Sequence, residues 1–316
     1  MNALKILMCL IFSFLISHAK NIEASYSFSL DAGVTDMIKH KKKLYISTQE
    51  GTLFSFDLDT KEIKALVKMP KTKDFLNKEM PSKIYSLDII ENRILLLAQG
   101  LKGARHLLIY ENNKLLTVLS DEKHLFISQA KFINKNLIIF ASLANEIYLY
   151  NIKEKKSLYI KQISASKFSH FVLNEKKDKI IIADESGDLK VHKSLSGEFI
   201  KAYEKQNLDN VFQVAIKKNV ILTAGQDRRA VVYNQGKTFY KKVKFLIYAC
   251  ALSPSANLAA IAHDEENNVL IFNTKTKEEL FVLKGNKMLL NRILFINEKE
   301  LFISNDGKSI NYYILP

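Results

Sequence analysis

The chain has 316 residues, 47% of them hydrophobic, which is enough for one large folded unit or two ordinary ones. With 10 glycines and 4 prolines it is not a linker-rich or low-complexity chain, and 19 phenylalanines and 13 tyrosines supply aromatic bulk in the absence of tryptophan. The formal net charge of +14 comes from lysines scattered through almost every turn, without an interleaved cluster of arginines and aromatic residues. This distribution argues against nucleic-acid binding and indicates a solvated surface.

The N-terminus has the pattern of a secretory signal peptide. Lys5 precedes an apolar run over residues 6–16, which is too short to span a bilayer but suits the hydrophobic region of a signal. Ser17 and Ala19 are small residues at the positions that signal peptidase reads, so we predict a signal peptide over residues 1–19 and one domain over residues 20–316. The signal lacks a twin-arginine pair and a cysteine suited to lipid attachment, which predicts Sec-type export to the periplasm with no stable membrane anchor. An uncleaved anchor or a buried strand is the alternative interpretation.

A hairpin recurs about every 40 residues through the rest of the chain. Its copies are STQEGTLFSFDL from Ser47, ASLANEIYLYN from Ala141, ADESGDLKVHK from Ala183, AGQDRRAVVYN from Ala224, AHDEENNVLIFN from Ala262 and SNDGKSINYYI from Ser304. Each copy begins in an almost wholly apolar strand such as LIIFA, which follows a short apolar segment and a polar turn. A more charged strand, such as KEIKALV, comes after it. Each unit therefore predicts four strands whose hydrophobicity decreases along the unit.

These units predict an all-β fold, a seven-bladed β-propeller of four-stranded antiparallel blades. The period of about 40 residues fits a propeller and not the all-helical repeats, whose units need apolar residues three and four positions apart. The seventh unit, from Asn291, has only three strands. The segment SYSFSL, residues 25–30, alternates in polarity ahead of the first unit and supplies the missing strand. We therefore predict a ring closed by pairing of this N-terminal strand with the last blade, which leaves no exposed edge.

A polar insertion, KMPKTKDFLNKEMPSK at residues 68–83, separates the first two blades. Its middle part, KDFLNKEM, predicts a short helical turn between two prolines. Insertions at the rim of a rigid scaffold often contact a partner, and a tolerated excursion of the chain is the alternative. The candidate partner loop consists of Lys71, Lys73, Phe75, Leu76 and Lys78.

One position of the inner strands is polar in most blades. Aligning these strands places a candidate polar ring at one mouth of the channel, formed by Thr35, Ser86, Gln129, His170, Gln213 and Arg292, with Ala249 in the remaining blade. Arg292 is the predicted contact for an anion or a carboxylate, and Asp88 and Lys131 are predicted to form an ion pair beneath the ring. The alternative is a water-filled channel that tolerates polar side chains without binding a ligand.

No motif for catalysis, metal binding or cofactor binding is found in the sequence. The histidines fall at different positions of the repeat and never at metal-ligand spacing, and there is no nucleophile elbow or glycine-rich phosphate loop. Cys250 is the one cysteine of the predicted mature chain, so no internal disulfide is expected, and its apolar neighbours predict a buried thiol. We predict a protein that is not an enzyme and has no cofactor.

The sequence resembles WD-repeat-like propellers over essentially the whole predicted mature chain. In that family the third strand of a blade ends in Trp-Asp; here an aromatic residue followed by Asp or Asn stands at the corresponding position in four blades, at residues 56–57, 150–151, 233–234 and 272–273. LSPSANLAAIA, from Leu252, is similar to the Ser-Pro-Asp-Gly turn of the same family, with Ser255 and Ala256 in place of Asp-Gly. The absence of tryptophan is a departure from the pattern and leaves the subfamily open.

The chain also resembles the NapL-type accessory protein of periplasmic nitrate reductase systems. The resemblance rests on the signal peptide, the chain length, the seven tryptophan-free blades and a composition rich in Lys, Ile and Phe. This resemblance implies a protein partner, such as a periplasmic reductase or its cytochrome subunit, and a role in the partner's maturation, stability or electron supply. Two alternatives stay open: a scaffold for cell-envelope assembly, and a ligand-binding or hydrolytic propeller that uses the channel.

Overall fold

Seven antiparallel sheets form a ring, the blades of a β-propeller, in the computed structural model of the chain, which describes residues 19–316. Each blade has four antiparallel strands, ordered from an inner strand beside the central channel to an outer strand at the rim, and blade 6 has one further strand at its rim. The inner strands contact each other in turn around the ring, and the inner strand of blade 7 contacts that of blade 1. The predicted all-β, seven-bladed fold is confirmed.

The strands follow the predicted order of the repeats. Two short strands, β1 (Lys20–Ile22) and β2 (Tyr26–Ser29), precede blade 1, which comprises β3 (Val34–His40), β4 (Lys43–Thr48), β5 (Thr52–Asp57) and β6 (Ile63–Lys68). A small hairpin of β7 (Thr72–Lys73) and β8 (Glu79–Met80) leads to blade 2, with β9 (Ile84–Ile90), β10 (Arg93–Gln99), β11 (Arg105–Glu111) and β12 (Lys114–Leu119). Blade 3 comprises β13 (Ile127–Phe132), β14 (Leu137–Ser142), β15 (Glu146–Asn151) and β16 (Lys156–Gln162).

The second half of the ring repeats this arrangement. Blade 4 comprises β17 (Phe168–Leu173), β18 (Lys179–Asp184), β19 (Leu189–Lys193) and β20 (Phe199–Tyr203), and blade 5 comprises β21 (Val211–Lys217), β22 (Val220–Gly225), β23 (Arg229–Asn234) and β24 (Lys237–Lys242). Blade 6 comprises β25 (Cys250–Leu252), β26 (Leu258–Ala262), β27 (Val269–Asn273) and β28 (Glu279–Leu283), and blade 7 comprises β29 (Leu290–Phe295), β30 (Glu300–Asn305) and β31 (Ser309–Ile314). Helix in the described residues is limited to two three-residue 3-10 turns, Leu101–Gly103 and Asp121–Lys123, and none of it is long and apolar enough to cross a membrane.

The N-terminal strand β2 closes the ring, as predicted. It pairs antiparallel with β31 of blade 7, with Tyr26 opposite Tyr312 and Ser29 opposite Ser309. Aromatic contacts add to the backbone hydrogen bonds: the rings of Tyr26 and Tyr312 lie 4.6 Å apart, and the Phe28 ring stacks at 4.5 Å on Phe56 of blade 1. The last blade is therefore completed by a strand from the other end of the chain, and this strand also packs against the first blade.

A fifth strand on blade 6 is a feature that the sequence pattern did not predict. Strand β1 pairs parallel with β28, placing Lys20 opposite Phe281 and Ile22 opposite Leu283. This strand begins at the residue that follows the predicted cleavage site. Except for Ala19, the predicted signal peptide lies outside the described residues.

The core consists of layers between neighbouring blades. Between blades 2 and 3, for example, Leu95 and Leu97 of β10 pack with Phe132, Phe140 and Tyr148 of blade 3. Second strands are buried on both faces, and every residue of β22 is buried, which explains their continuous apolar sequences. Outer strands such as β16 have mostly exposed residues and accommodate lysine. Full burial of a core leucine such as Leu95 contributes about 1.5–3 kcal/mol to the hydrophobic stabilisation.

The insertion between blades 1 and 2 forms a hairpin and not the predicted helical turn. Thr72 pairs with Met80, and Lys73 pairs with Glu79. Asp74 closes the turn: its side chain accepts hydrogen bonds from the backbone N–H groups of Leu76 and Lys78, and its own N–H donates to the Lys78 carbonyl. The left-handed backbone of Asn77, with φ of 60°, reverses the chain direction before a helical turn can continue.

Candidate functional site

A β-bulge near the start of the inner strands sets which side chains share one level of the channel. In β3, Val34 pairs with Thr48 and Asp36 pairs with Ser47, so that Thr35 is the extra residue. Strands β9, β13, β17, β21 and β29 have the same irregularity. Counting from the paired residues, the equivalent positions of the seven blades, here called the channel level, are Asp36, Ser86, Gln129, His170, Gln213, Ala249 and Arg292.

The structure brings the predicted ring residues together, with a shift of one position in blade 1. Thr35, Ser86, Gln129, His170, Gln213 and Arg292 all line one cavity of about 160 Å³ at the mouth of the channel where the inner strands begin. Thr35 is the bulged residue, however, and Asp36 occupies the channel level. The alignment of the inner strands by sequence was wrong by one residue in blade 1, because sequence similarity does not show where a bulge inserts its extra residue. We call the face with this mouth the upper face.

Side chains of the channel level hold neighbouring blades together. In four blades the side chain accepts a hydrogen bond from a backbone N–H of the next blade, and the donor is always the residue that follows the next blade's channel-level residue. The four bonds run from Leu87 N to Asp36 Oδ2 (2.8 Å), from Phe171 N to Gln129 Oε1 (2.8 Å), from Val214 N to His170 Nδ1 (3.3 Å) and from Cys250 N to Gln213 Oε1 (3.3 Å). An inner strand exposes unpaired backbone groups along its channel-side edge, and these bonds satisfy them.

The bond between the last and the first blade is an ion pair. Arg292 Nε lies 3.0 Å from Asp36 Oδ1, and the same carboxylate accepts the N–H groups of Met37 and Leu87. The Arg292 guanidinium, predicted as the contact for an anion, is thus paired with a carboxylate of its own chain. Asn291 strengthens this junction by donating to the Val34 carbonyl at 2.7 Å.

The ion pair predicted beneath the ring is confirmed. Lys131 Nζ lies 3.7 Å from Asp88 Oδ1, and the other oxygen of Asp88 accepts the Phe132 N–H at 2.7 Å. Asp88 therefore joins blade 2 to blade 3, as the channel-level side chains join other blades. Below this level the channel opens into a cavity of about 370 Å³ on the lower face, whose lining includes Lys131, Lys177 and Lys217.

His170 is a neutral hydrogen-bond acceptor in this arrangement. Burial, followed by the positive charges of Arg292 and Lys131, holds the pKa of His170 well below its usual range. The Nδ1 atom accepts a hydrogen bond from the Val214 N–H, which places the ring hydrogen on Nε2. The Gln129 side-chain nitrogen lies 3.4 Å from Nε2, but it is also a donor and makes no hydrogen bond with this tautomer. Within residues 19–316, no group of three or more His, Cys, Asp or Glu side chains is arranged to hold a metal ion.

Two channel-level residues do not take part in this hydrogen bonding. Ser86 has a buried hydroxyl without a hydrogen-bond partner in the described part of the chain, and Ala249 has no polar side-chain atom. Cys250, next to Ala249, is buried as predicted, and burial raises the pKa of its thiol to about 12. Its thiol is therefore protonated at neutral pH and unsuited to act as a nucleophile.

The candidate partner loop lies on the upper face, on the β7–β8 hairpin. Its tip exposes two large apolar side chains, with 70% of Phe75 and 75% of Leu76 accessible to solvent. Lys71 is paired with Glu79 at 3.3 Å, and both are exposed. Lys73 and Lys78 belong to the same hairpin, so the five predicted residues surround one turn.

Sequence reasoning missed a cluster of cations beside this hairpin. The Arg105 guanidinium lies 3.6 Å from the centre of the Tyr85 ring, and Lys83 Nζ lies 5.1 Å from the same ring. Arg105 donates to the Gln99 side chain at 3.1 Å, while its Nε is buried and has no hydrogen-bond partner among the residues that the structure describes. Tyr85 is the bulged residue of β9. The bulge determines which side chains lie beside the Tyr85 ring, and the sequence carries no signal for it.

Comparison with known proteins supports the fold. The β-propeller domain of Cps50 (Swd1) from Myceliophteria thermophila is similar with a TM-score of 0.73 and 12% identity, covering 93% of this chain and 99% of that one. A chain in the crystal structure of a mitotic checkpoint complex is similar with a TM-score of 0.77 and 11% identity, covering 95% of this chain and 94% of that one. No protein-family model matches the sequence, and no curated protein is significantly similar to it. At these identities the comparison establishes the β-propeller fold, and only the fold.

Proposed function

We propose that this protein is a non-enzymatic interaction propeller that is exported to the periplasm and assists a partner protein there. One observation carries the proposal: polar side chains of the channel are largely used in hydrogen bonds between blades, whereas large apolar side chains are exposed at the tip of the β7–β8 hairpin. A rigid ring that displays such a hairpin is suited to binding another protein.

The propeller comparisons are compatible with this role. One of the similar chains comes from a structure described as a mitotic checkpoint complex, so a propeller of this shape takes part in a protein assembly there. Export is supported by the signal-peptide pattern of residues 1–19. The assignment to a reductase, such as the periplasmic nitrate reductase or its cytochrome, rests on the resemblance to NapL-type proteins.

An affinity purification tests both parts of the proposal. The tagged full-length chain is expressed in a bacterial host with its signal, the N-terminus of the recovered protein is sequenced, and proteins that co-purify from the periplasmic fraction are identified by mass spectrometry. We expect an N-terminus at Lys20 and co-purification of a molybdenum reductase or its cytochrome.

Other results would change the proposal in defined ways. Recovery of envelope-assembly proteins would replace the reductase role by the scaffold role. Failure to recover any protein in stoichiometric amount would contradict the interaction function. Recovery of the protein only from the cytoplasm would contradict export.

A further inference from the structure

The upper edge of blade 2 combines exposed apolar side chains with two cations. The apolar part, here called the ridge, consists of Phe75, Leu76, Leu101 and Phe126, which are all exposed. Phe75 and Phe126 meet at Gly103: a Cβ atom on this glycine would lie 3.2 Å from the Phe75 ring and 3.6 Å from the Phe126 ring. Leu101 belongs to the same 3-10 turn as Gly103, so the hairpin tip and the turn form one continuous surface.

Both cations beside the ridge lack a carboxylate partner. Within residues 19–316, no Asp or Glu oxygen lies within 4.0 Å of the charged nitrogens of Lys83 or Arg105. The first 18 residues contain no Asp or Glu at all. Burial lowers the pKa of both groups; for Lys83 the Arg105 charge lowers it further, against an opposing contribution from Asp306. Two half-buried cations near one tyrosine ring are a favourable site for a carboxylate from outside the chain.

The spacing of the two features limits what fits them. Arg105 follows Gly103 by two residues, so its backbone lies at most about 7 Å from the glycine that both phenylalanines touch. An extended peptide covers this distance with about two residues. A single peptide segment can therefore place an apolar side chain on the ridge and a carboxylate at the cations.

We propose that the upper edge of blade 2 binds a peptide segment of a partner protein in which a leucine or an aromatic residue lies one to three positions from an Asp or Glu. The apolar side chain packs on Phe75, Leu76 and Phe126, and the carboxylate accepts hydrogen bonds from Lys83 and Arg105. This inference rests on the proposed interaction function and names the binding surface and the chemistry of its ligand.

A phage-displayed library of random dodecapeptides is the probe for this proposal. Selection on the wild-type protein should enrich peptides that contain the apolar–acidic pair. Their synthetic versions should bind at least about tenfold more weakly to a ridge variant (Phe75→Ser with Leu76→Ser) and to a cation variant (Lys83→Gln with Arg105→Gln), which corresponds to loss of about 1.4 kcal/mol. A control variant with equally large exposed leucines removed elsewhere, Leu158→Ser with Leu195→Ser, should bind like the wild type.

Several outcomes would overturn the proposal. Equal binding of the enriched peptides to the wild type and the ridge variant would place the site elsewhere, and enrichment of basic peptides, or of none, would contradict the ligand chemistry. If the wild type sediments as a dimer that the ridge variant dissociates, the occupant is a second copy of the chain. Denaturation curves are recorded for all variants, including the single variant Lys83→Gln. They establish that each variant is folded, so that a loss of binding does not come from unfolding.

Failure of this proposal is distinguishable from failure of the proposed function. If a periplasmic partner co-purifies equally with the wild type and the ridge variant, the edge of blade 2 is excluded while the interaction function remains. If no partner co-purifies with the wild type, the interaction function fails irrespective of the peptide result.

Discussion

The channel level and the upper edge of blade 2 both contain cations, and they differ in where the partners of those cations are. In the channel, Arg292 is paired with Asp36, and the remaining polar side chains mostly bind the backbone of the next blade. At the edge of blade 2, Lys83 and Arg105 have no carboxylate partner among residues 19–316, and Phe75 is exposed beside them. Bonds within the chain account for most polar residues of this channel, whereas the edge of blade 2 is the surface for which we propose an external ligand.

The largest expected effect tests whether the channel level stabilises the ring. Asp36→Ala removes the partner of the Arg292 charge and the acceptor of two backbone N–H groups. We expect the free energy of unfolding, measured by urea denaturation, to fall by about 3–5 kcal/mol. Thr35→Ala is the matched control. Within residues 19–316 the side chain of Thr35 is hydrogen-bonded to Ser47 alone, so this variant should cost less than about 1.5 kcal/mol. Similar losses for both variants would contradict the assignment of Asp36 to the channel level.

A second pair of variants compares two residues of the same level. Gln129 accepts from the Phe171 N–H and donates to the Phe171 carbonyl, so Gln129→Ala leaves two groups without partners and should cost about 2 kcal/mol. Ser86→Ala removes a buried hydroxyl that has no hydrogen-bond partner within the described ring, and it should change stability by less than about 0.5 kcal/mol. The change in stability is measured from the urea concentration at the midpoint of unfolding, provided that the slope of the unfolding free energy against urea concentration stays constant. A Ser86→Ala loss as large as that of Gln129→Ala would show that polarity at this level, and not bonding between blades, determines stability.

The pH dependence of stability should report on His170. Its pKa is lowered in the folded state, so below the unfolded pKa of about 6.5 the unfolded chain binds a proton that the folded chain does not. Stability contributed by this group is therefore fully present above pH of about 6.5 and decreases as the pH falls, by up to about 1.4 kcal/mol per pH unit. His170→Gln keeps an acceptor for the Val214 N–H and should flatten this dependence between pH values of about 7 and 5. Parallel curves for the two proteins would show that His170 is not held neutral.

The smallest expected effect concerns the hairpin. Phe75→Ser and Leu76→Ser remove side chains that are mostly exposed, so the free energy of unfolding should change by less than about 0.5 kcal/mol. Thermal or urea denaturation measures this change. A loss of more than about 1 kcal/mol would mean that the ridge belongs to the core and is not kept for a partner.

Much of the architecture could be predicted because burial in a propeller is periodic along the chain. Second strands such as Val220–Gly225 are buried on both faces and read as apolar runs, and outer strands such as Lys156–Gln162 face solvent and read as mixed. The closing strand Tyr26–Ser29 was predictable because the last unit lacked a fourth strand. Parallel pairing of Lys20–Ile22 with blade 6 had no such signal, since three residues have too little pattern.

The sequence by itself determined the number of blades, the order of strands and the presence of a polar ring. It also showed the residue types at the channel mouth and in the insertion. The tertiary structure alone decided what those residues do: a bulge places Asp36 and not Thr35 at the channel level, and Asp74 turns a predicted helical segment into a hairpin. It also decided that Arg292 is paired with Asp36, whereas Lys83 and Arg105 have no carboxylate partner in the part of the chain that the structure describes. Periodic burial is a local property that each strand carries in its own sequence, whereas the partner of a side chain depends on which distant strand lies beside it.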